Sequence, residues 1–241
     1  LEGNLHSGQF GGAAPDALGA LIRVLDSLRA EDGSTTLDGL TGDARWEGLQ
    51  YEEEAFRKDA KVLDGVELIG SGTVADRIWA RPAVTVLGID CPPVVGATPS
   101  VQAGARALVS LRVPPGVDAV EATKLLQAHL EARTPWGARV RTEQIGQGQP
   151  FRADTSSPAY TAMAEAMAVA YPGEEMQSAG QGGSIPLCNT LASLYPHAEI
   201  LLIGLSEPQA QIHAVNESVS PDELERLSVT EALFLQKYAA S

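Results

Sequence analysis

The chain has 241 residues, 44% of them apolar and 20% charged, which suffices for one large or two small soluble domains with cores of their own. Acids outnumber bases 31 to 17 for a formal charge of −14, and the densest basic stretch (Arg133, Arg139, Arg141) is too sparse for a nucleic-acid partner. No apolar run approaches the ~20 residues of a membrane span, and Cys91 and Cys188 form no C-x-x-C pair, as expected of reduced thiols in a cytoplasmic protein.

Leu1 to Phe10 reads as a strand already under way, with no signal segment ahead of it. Gly11-Gly12 turns the chain into a helix whose Leu18, Leu21, Ile22, Leu25 and Leu28 recur at helical spacing, and Asp32-Gly33 ends it. Residues 43–64 are acidic and polar, helical around Tyr51 to Lys61, and read as an inserted surface element. Strands follow at Ala83–Ile89 and Val101–Val113, the second stopped by Pro114-Pro115-Gly116. Val120 to Ala132 is a helix with Ala122, Leu125, Leu126 and His129 facing inward, and Ala138–Ile145 is a last strand. That order of elements is a ferredoxin-like layout.

A second block begins after Gly146-Gln147-Gly148-Gln149-Pro150. Ser157-Pro158 opens a helix running to about Tyr171, Glu175–Ala179 is a short strand, and Pro186 opens a further helix. Ala198–Leu205 is a buried strand. Ser220-Pro221-Asp222-Glu223 is a capping box for a final helix burying Leu224, Leu227, Phe234 and Leu235. Strands alternating with helices suggest half of an α/β layer, short of sheet partners.

The candidate chemistry rests on few residues. Of the four histidines, His129 reads as a core-edge residue and His197 as a surface one. His6 precedes glycines that allow a tight turn or a close approach to a ligand, and ending a strand is the equal alternative. His213 follows a strand and a polar loop, where α/β sheets bind ligands, but one histidine does not make a metal site. Gly182, Gly183 and Ser184 form a turn into a helix whose N–H groups suit a carboxylate. Ser184 lacks the G-x-S-x-G frame of a serine nucleophile. Arg112, a charge among apolar strand residues, suits either a substrate carboxylate or a structural salt bridge.

In order, His6-Ser7-Gly8 with Phe10-Gly11-Gly12, Ser110-Leu111-Arg112-Val113-Pro114, Gly182-Gly183-Ser184-Ile185-Pro186, and His213 with Asn216-Glu217 resemble zinc-dependent dipeptidases and deacylases of peptidase family M20. Carnosinase-type dipeptidases are the nearest in pattern. The resemblance implies an α+β and α/β fold: a ferredoxin-like lid (dimerisation) domain over 1–148, then the C-terminal part of a zinc-peptidase catalytic domain over 149–241. It implies a metal-dependent hydrolase of dipeptides or N-acyl amino acids, a homodimer through the lid, with two zinc ions per site in the full-length enzyme. His213 would be the last zinc ligand. His6 would reach into the partner's site to stabilise an oxyanion, and Arg112, Gly183 and Ser184 would hold the C-terminal carboxylate of the substrate.

Two positions depart from the family pattern. Thr98-Pro99 matches a lid Thr or Asn only with an offset, and Gln181 stands where a Glu precedes Gly-Gly-Ser. The family's other zinc ligands and its Glu base precede the lid. The chain is therefore expected to be a fragment that does not retain zinc or hydrolyse peptides by itself. The alternative is a non-catalytic dimerisation module or pseudoenzyme.

Overall fold

A carboxylate starts the first long helix. Asp16, extended at φ −88 and ψ 119, accepts the Gly19 N–H at 3.0 Å and so caps α2 (Ala17–Asp26). The computed structural model describes residues 1–181, 185–205, 210–212 and 214–239. They fall into two units, Leu1–Trp46 with Glu67–Pro150, and Glu47–Val66 with Phe151–Ser241.

In the first unit, β1 (Leu5–His6) and α1 (Ser7–Phe10) precede α2. A π-helical turn at Asp76–Ala80 leads into β2 (Ala83–Asp90), followed by β3 (Ser100–Val101), β4 (Arg106–Arg112) and α4 (Ala119–Ala132). β2 and β4 pair antiparallel from Ala83↔Arg112 to Asp90↔Arg106, with a bulge between Val86 and Gly88. β1 pairs antiparallel with β3. The core is Leu28, Leu37 and Val84, against which Leu25, Leu40, Val109, Leu111, Leu126 and Leu130 pack. Helix α4 is capped by Asp118, which accepts the Val120 and Glu121 N–H groups at 2.9 Å.

His129 lies fully inside, as its place on the inner face of α4 suggested. Ser27 Oγ donates to the Val24 carbonyl at 2.7 Å, so it accepts from His129 Nε2 at 3.1 Å. Asp76 is a buried carboxylate of this unit. It accepts the N–H groups of Trp46 (2.7 Å) and Thr73 (2.9 Å), and the Arg81 guanidinium stands 3.8 Å away. These bonds, that from Trp46 foremost, hold its carboxyl below the ordinary 3.8 against the opposing effect of burial.

In the second unit, α3 (Glu53–Asp59) is followed by α5 (Pro158–Ala170), α6 (Pro186–Leu194) and α7 (Pro221–Tyr238). α5 and α7 bury Ala159, Met163, Ala166 and Thr230. Tyr171 donates to Glu223 at 3.0 Å, and the Arg226 guanidinium lies 5.4 Å from the Tyr171 ring centroid. Ser220 caps α7 by accepting the Glu223 N–H. The Ser157 side chain stands at the N-cap of α5 without bonding its first turn; Glu199 accepts the Ala159 N–H instead, at 3.0 Å.

Mixed helix and strand content makes this an α+β fold, but several strands differ from the sequence reading. Leu1–Phe10 forms a strand only at Leu5–His6, because the chain coils at Ser7. Val101–Val113 is broken after Val101, because the Gln102 and Ala103 N–H groups donate to the Asp16 and Asn4 side chains instead of a neighbouring strand. Ala138–Ile145 carries no strand: Trp136 and Gly137 both turn left-handed, and Val140 and Ile145 are exposed, so no buried face sets a register.

The segments 175–179 and 198–205 carry no strand either. Leu202 and Ile203 are exposed, and such an apolar run becomes a buried strand only between two neighbours. Helix faces shift as well: α2 buries Ala20 and Val24 while Ile22 is exposed, and α7 turns Leu224 and Leu235 outward around buried Thr230.

A lowered carboxyl contributes stability that is present above its unfolded value and lost as the pH falls through its folded one. Acid unfolding followed by circular dichroism should therefore be shallower below about pH 4 for Asp76→Asn than for the unaltered chain. Superimposable acid limbs would deny Asp76 that role.

Candidate functional site

His6 closes β1 and occupies the N-cap position of α1, with its side chain exposed. A two-residue pairing is too short to stand alone, and side chains brace it. The Ser7 N–H donates to the Pro99 carbonyl at 2.9 Å. Asn4 Oδ1 accepts the Ala103 N–H at 2.9 Å, and Asn4 Nδ2 donates to Gln102 Oε1 at 3.3 Å. Gln102 in turn donates through Nε2 to Ser100 Oγ at 2.8 Å, directly opposite His6 in the register.

The two oxygens of Asp16 complete the brace. Oδ1 accepts the Gln102 N–H at 3.0 Å while Oδ2 caps α2, and the Ala17 N–H donates back to the Gln102 carbonyl at 2.9 Å. The glycines after His6 also have work to do. A Cβ on Gly11 would stand 2.3 Å from the Ser7 carbonyl oxygen, which accepts the Gly11 N–H at 2.8 Å, and Gly12 is left-handed at φ +85. Of the two uses the sequence allowed for these glycines, the tight turn is the one seen.

Arg112 is the last residue of β4, opposite Ala83, with its side chain exposed. His6 and Arg112 thus belong to the first unit but to different strand pairs. Gly183, Ser184 and His213 lie outside the described residues. Beside Gly183 and Ser184, Ile185 holds the N-cap position of α6, which starts with Pro186. Around His213, the Ser218 N–H donates to the Ala210 carbonyl at 3.0 Å, and Gln211 and Asn216 are left-handed.

Sequence reasoning singled out His6 but missed Asp16 and Asn4, which hold its strand. An Asp placed directly before an apolar helical stripe is a capping signal that could have revealed Asp16. Nothing local marks Asn4, whose partners lie far along the chain.

A catalytic or structural zinc needs three or four donors at one place. Among the described residues no group of three or more His, Cys, Asp or Glu side chains is so gathered. The described donors do not make up a zinc site by themselves.

The family model for a peptidase dimerisation domain of the M20 type matches residues 2–138. A cysteinylglycine-S-conjugate dipeptidase from Corynebacterium striatum is 47% identical over 240 residues, 99% of this chain and 53% of that protein. A Cys-Gly metallodipeptidase from Saccharomyces cerevisiae is 27% identical over 99% of this chain and 52% of its own length. The solved structure of the dipeptidase Dug1p from Saccharomyces cerevisiae has the same fold, with a TM-score of 0.81 at 23% identity, over 100% of this chain and 52% of that one. The chain spans about half the length of the curated relatives it matches.

Asp16→Ala removes a helix cap and leaves the Gln102 N–H without its acceptor. It should cost ~1–3 kcal/mol in urea unfolding and speed amide exchange at Gln102. An unchanged midpoint would show that the brace does not depend on this carboxylate.

Proposed function

The chain belongs to the M20 peptidase dimerisation-domain family, and on that premise we propose that it supplies the lid and closing lobe of a metal-dependent dipeptidase. The observation that carries this reading is the 47% identity to a dipeptidase, which runs over 99% of the chain and so extends well past the dimerisation domain. Residues 1–148 would be the lid and 149–241 the C-terminal segment of the catalytic domain. The division of the chain at Pro150 supports that boundary, while the segment Glu47–Val66 groups with the second unit. The substrates would be dipeptides or N-acyl amino acids, with Cys-Gly the first to test. The setting would be the cytoplasm; no helix among the described residues is long and apolar enough to cross a membrane.

Each site residue takes a role its chemistry suits. His6, exposed on a braced strand end, would donate to the oxyanion that forms on the scissile carbonyl, in the active site of a second copy. Arg112 would grip the substrate's terminal carboxylate as a guanidinium does best, through two parallel bonds. The backbone of Gly183 and the hydroxyl of Ser184 would share that carboxylate. His213 would be one ligand of a zinc ion, whose chemistry when bound is to activate water. The chain alone would be inactive, since the other ligands and a carboxylate base lie outside it.

The family's dimerisation role supports a homodimer through the lid. In the first unit Leu87 is 60% exposed, with Ile89 and Leu108 also open on the β2–β4 pair. A second copy would cover exposed apolar side chains of this strand pair.

Two experiments test the reading. In the full-length protein, His6→Ala should lower kcat on Cys-Gly by about 10²–10³-fold with bound metal unchanged, whereas His213→Ala should lower the metal stoichiometry. A mixed dimer of His6→Ala with a base-deficient subunit should regain activity. No activity in the extended, metal-loaded protein would leave a dimerisation module without catalysis. Separately, Leu87→Asp with Ile89→Asp should shift the chain from dimer to monomer in light scattering; a persistent dimer would place the interface elsewhere.

A further inference from the structure

We infer that Gly8 is a positioning residue for His6, and that its missing side chain is the space into which the imidazole is set. A Cβ built on Gly8 would stand 2.9 Å from His6 Cε1 and 3.2 Å from His6 Nδ1. Carbon atoms out of contact strain sit about 3.5–4.0 Å apart, so Ala and this ring orientation are incompatible. The neighbouring glycines answer to different limits, Gly11 to a carbonyl and Gly12 to its backbone angle.

What would give way decides the function of the contact. At Gly11 the obstacle is backbone, so substitution there breaks the turn. At Gly8 it is the far end of a side chain with two rotatable bonds, so the ring swings aside and the fold stays. Gly8 carries no left-handed angle, and it lies inside α1, where Ala is the better helix former. Folding therefore gives no reason for glycine at this position. Ring orientation does. An oxyanion donor must come within about 2.7–3.1 Å of the developing charge, and a displacement of about 1 Å can cost ~10²-fold in rate.

The inference rests on the proposed role of His6, and a double-mutant cycle separates the two. In the full-length protein, Gly8→Ala should lower kcat on Cys-Gly by about 10–10²-fold. KM, metal content and the unfolding midpoint should be unchanged. In a His6→Ala background the same substitution should have no further effect. Gly3→Ala, whose added Cβ meets nothing within 4 Å, is the control and should change neither quantity. On the 241-residue chain, the His6 ring resonances should move in Gly8→Ala and stay in Gly3→Ala.

Additive losses in the cycle, or full activity of Gly8→Ala where His6→Ala is impaired, would overturn the inference. If His6→Ala leaves kcat intact, the functional reading fails. Unshifted His6 resonances in Gly8→Ala would then overturn the steric claim on its own. Should Gly8→Ala lower the unfolding midpoint, His6→Ala must restore it, because only the ring is in the way; failure to restore it would again overturn the inference.

Discussion

The carboxylate of Asp16 accepts the Gly19 N–H with one oxygen and the Gln102 N–H with the other. The first bond starts α2, which carries Ala20 and Val24 into the interior ahead of Leu28. The second fixes the residue that follows β3, the strand paired with His6. Helix and site are thus registered on one side chain. As hydrogen bonds both are more directional than packing, and a bond to a carboxylate is worth more than one to a neutral acceptor.

This brace explains which parts of the fold were legible in the sequence. Helices α5 and α7 begin where local signals said they would, at Ser157-Pro158 and at Ser220-Pro221, and α4 begins within one residue of the Val120 start read from periodicity. Such signals are local, involving residues within a turn of each other. Strands are a different matter. Whether Gln102 extends a strand depends on Asp16, 86 residues away, and nothing near Gln102 announces that partner. Apolar runs such as Ile200–Leu205 look like strands by composition, yet pairing is a property of neighbours and not of the run itself.

The candidate site divides along the same line. His6 stood out because its glycines are local in sequence, and Gly11 and Gly12 do shape the turn after it. Arg112 was legible only as a charge among apolar residues, and its place at the end of β4 leaves both of its original readings standing. Dimerisation-domain membership accounts for the first unit, while similarity to dipeptidases continues through the second. The proposed chemistry therefore draws on both units, and on a stretch of the relatives' length that this chain does not span.

Stability and site geometry rest on different forces in the first unit. Its core lies in Leu28, Leu37 and Val84, and none of residues 1–16 is buried. The segment that carries His6, with only half-buried Leu5 set against buried Val101, therefore draws little on the hydrophobic effect, which is non-directional and tolerates sliding. It is held mainly by backbone and side-chain hydrogen bonds at 2.8–3.3 Å, which weaken steeply as they bend. A group proposed to meet a developing charge needs its direction defined more than its depth. An exposed segment braced from Asn4, Ser7, Gln102 and Asp16 defines direction without burying the imidazole, and so leaves His6 accessible to whatever it acts upon.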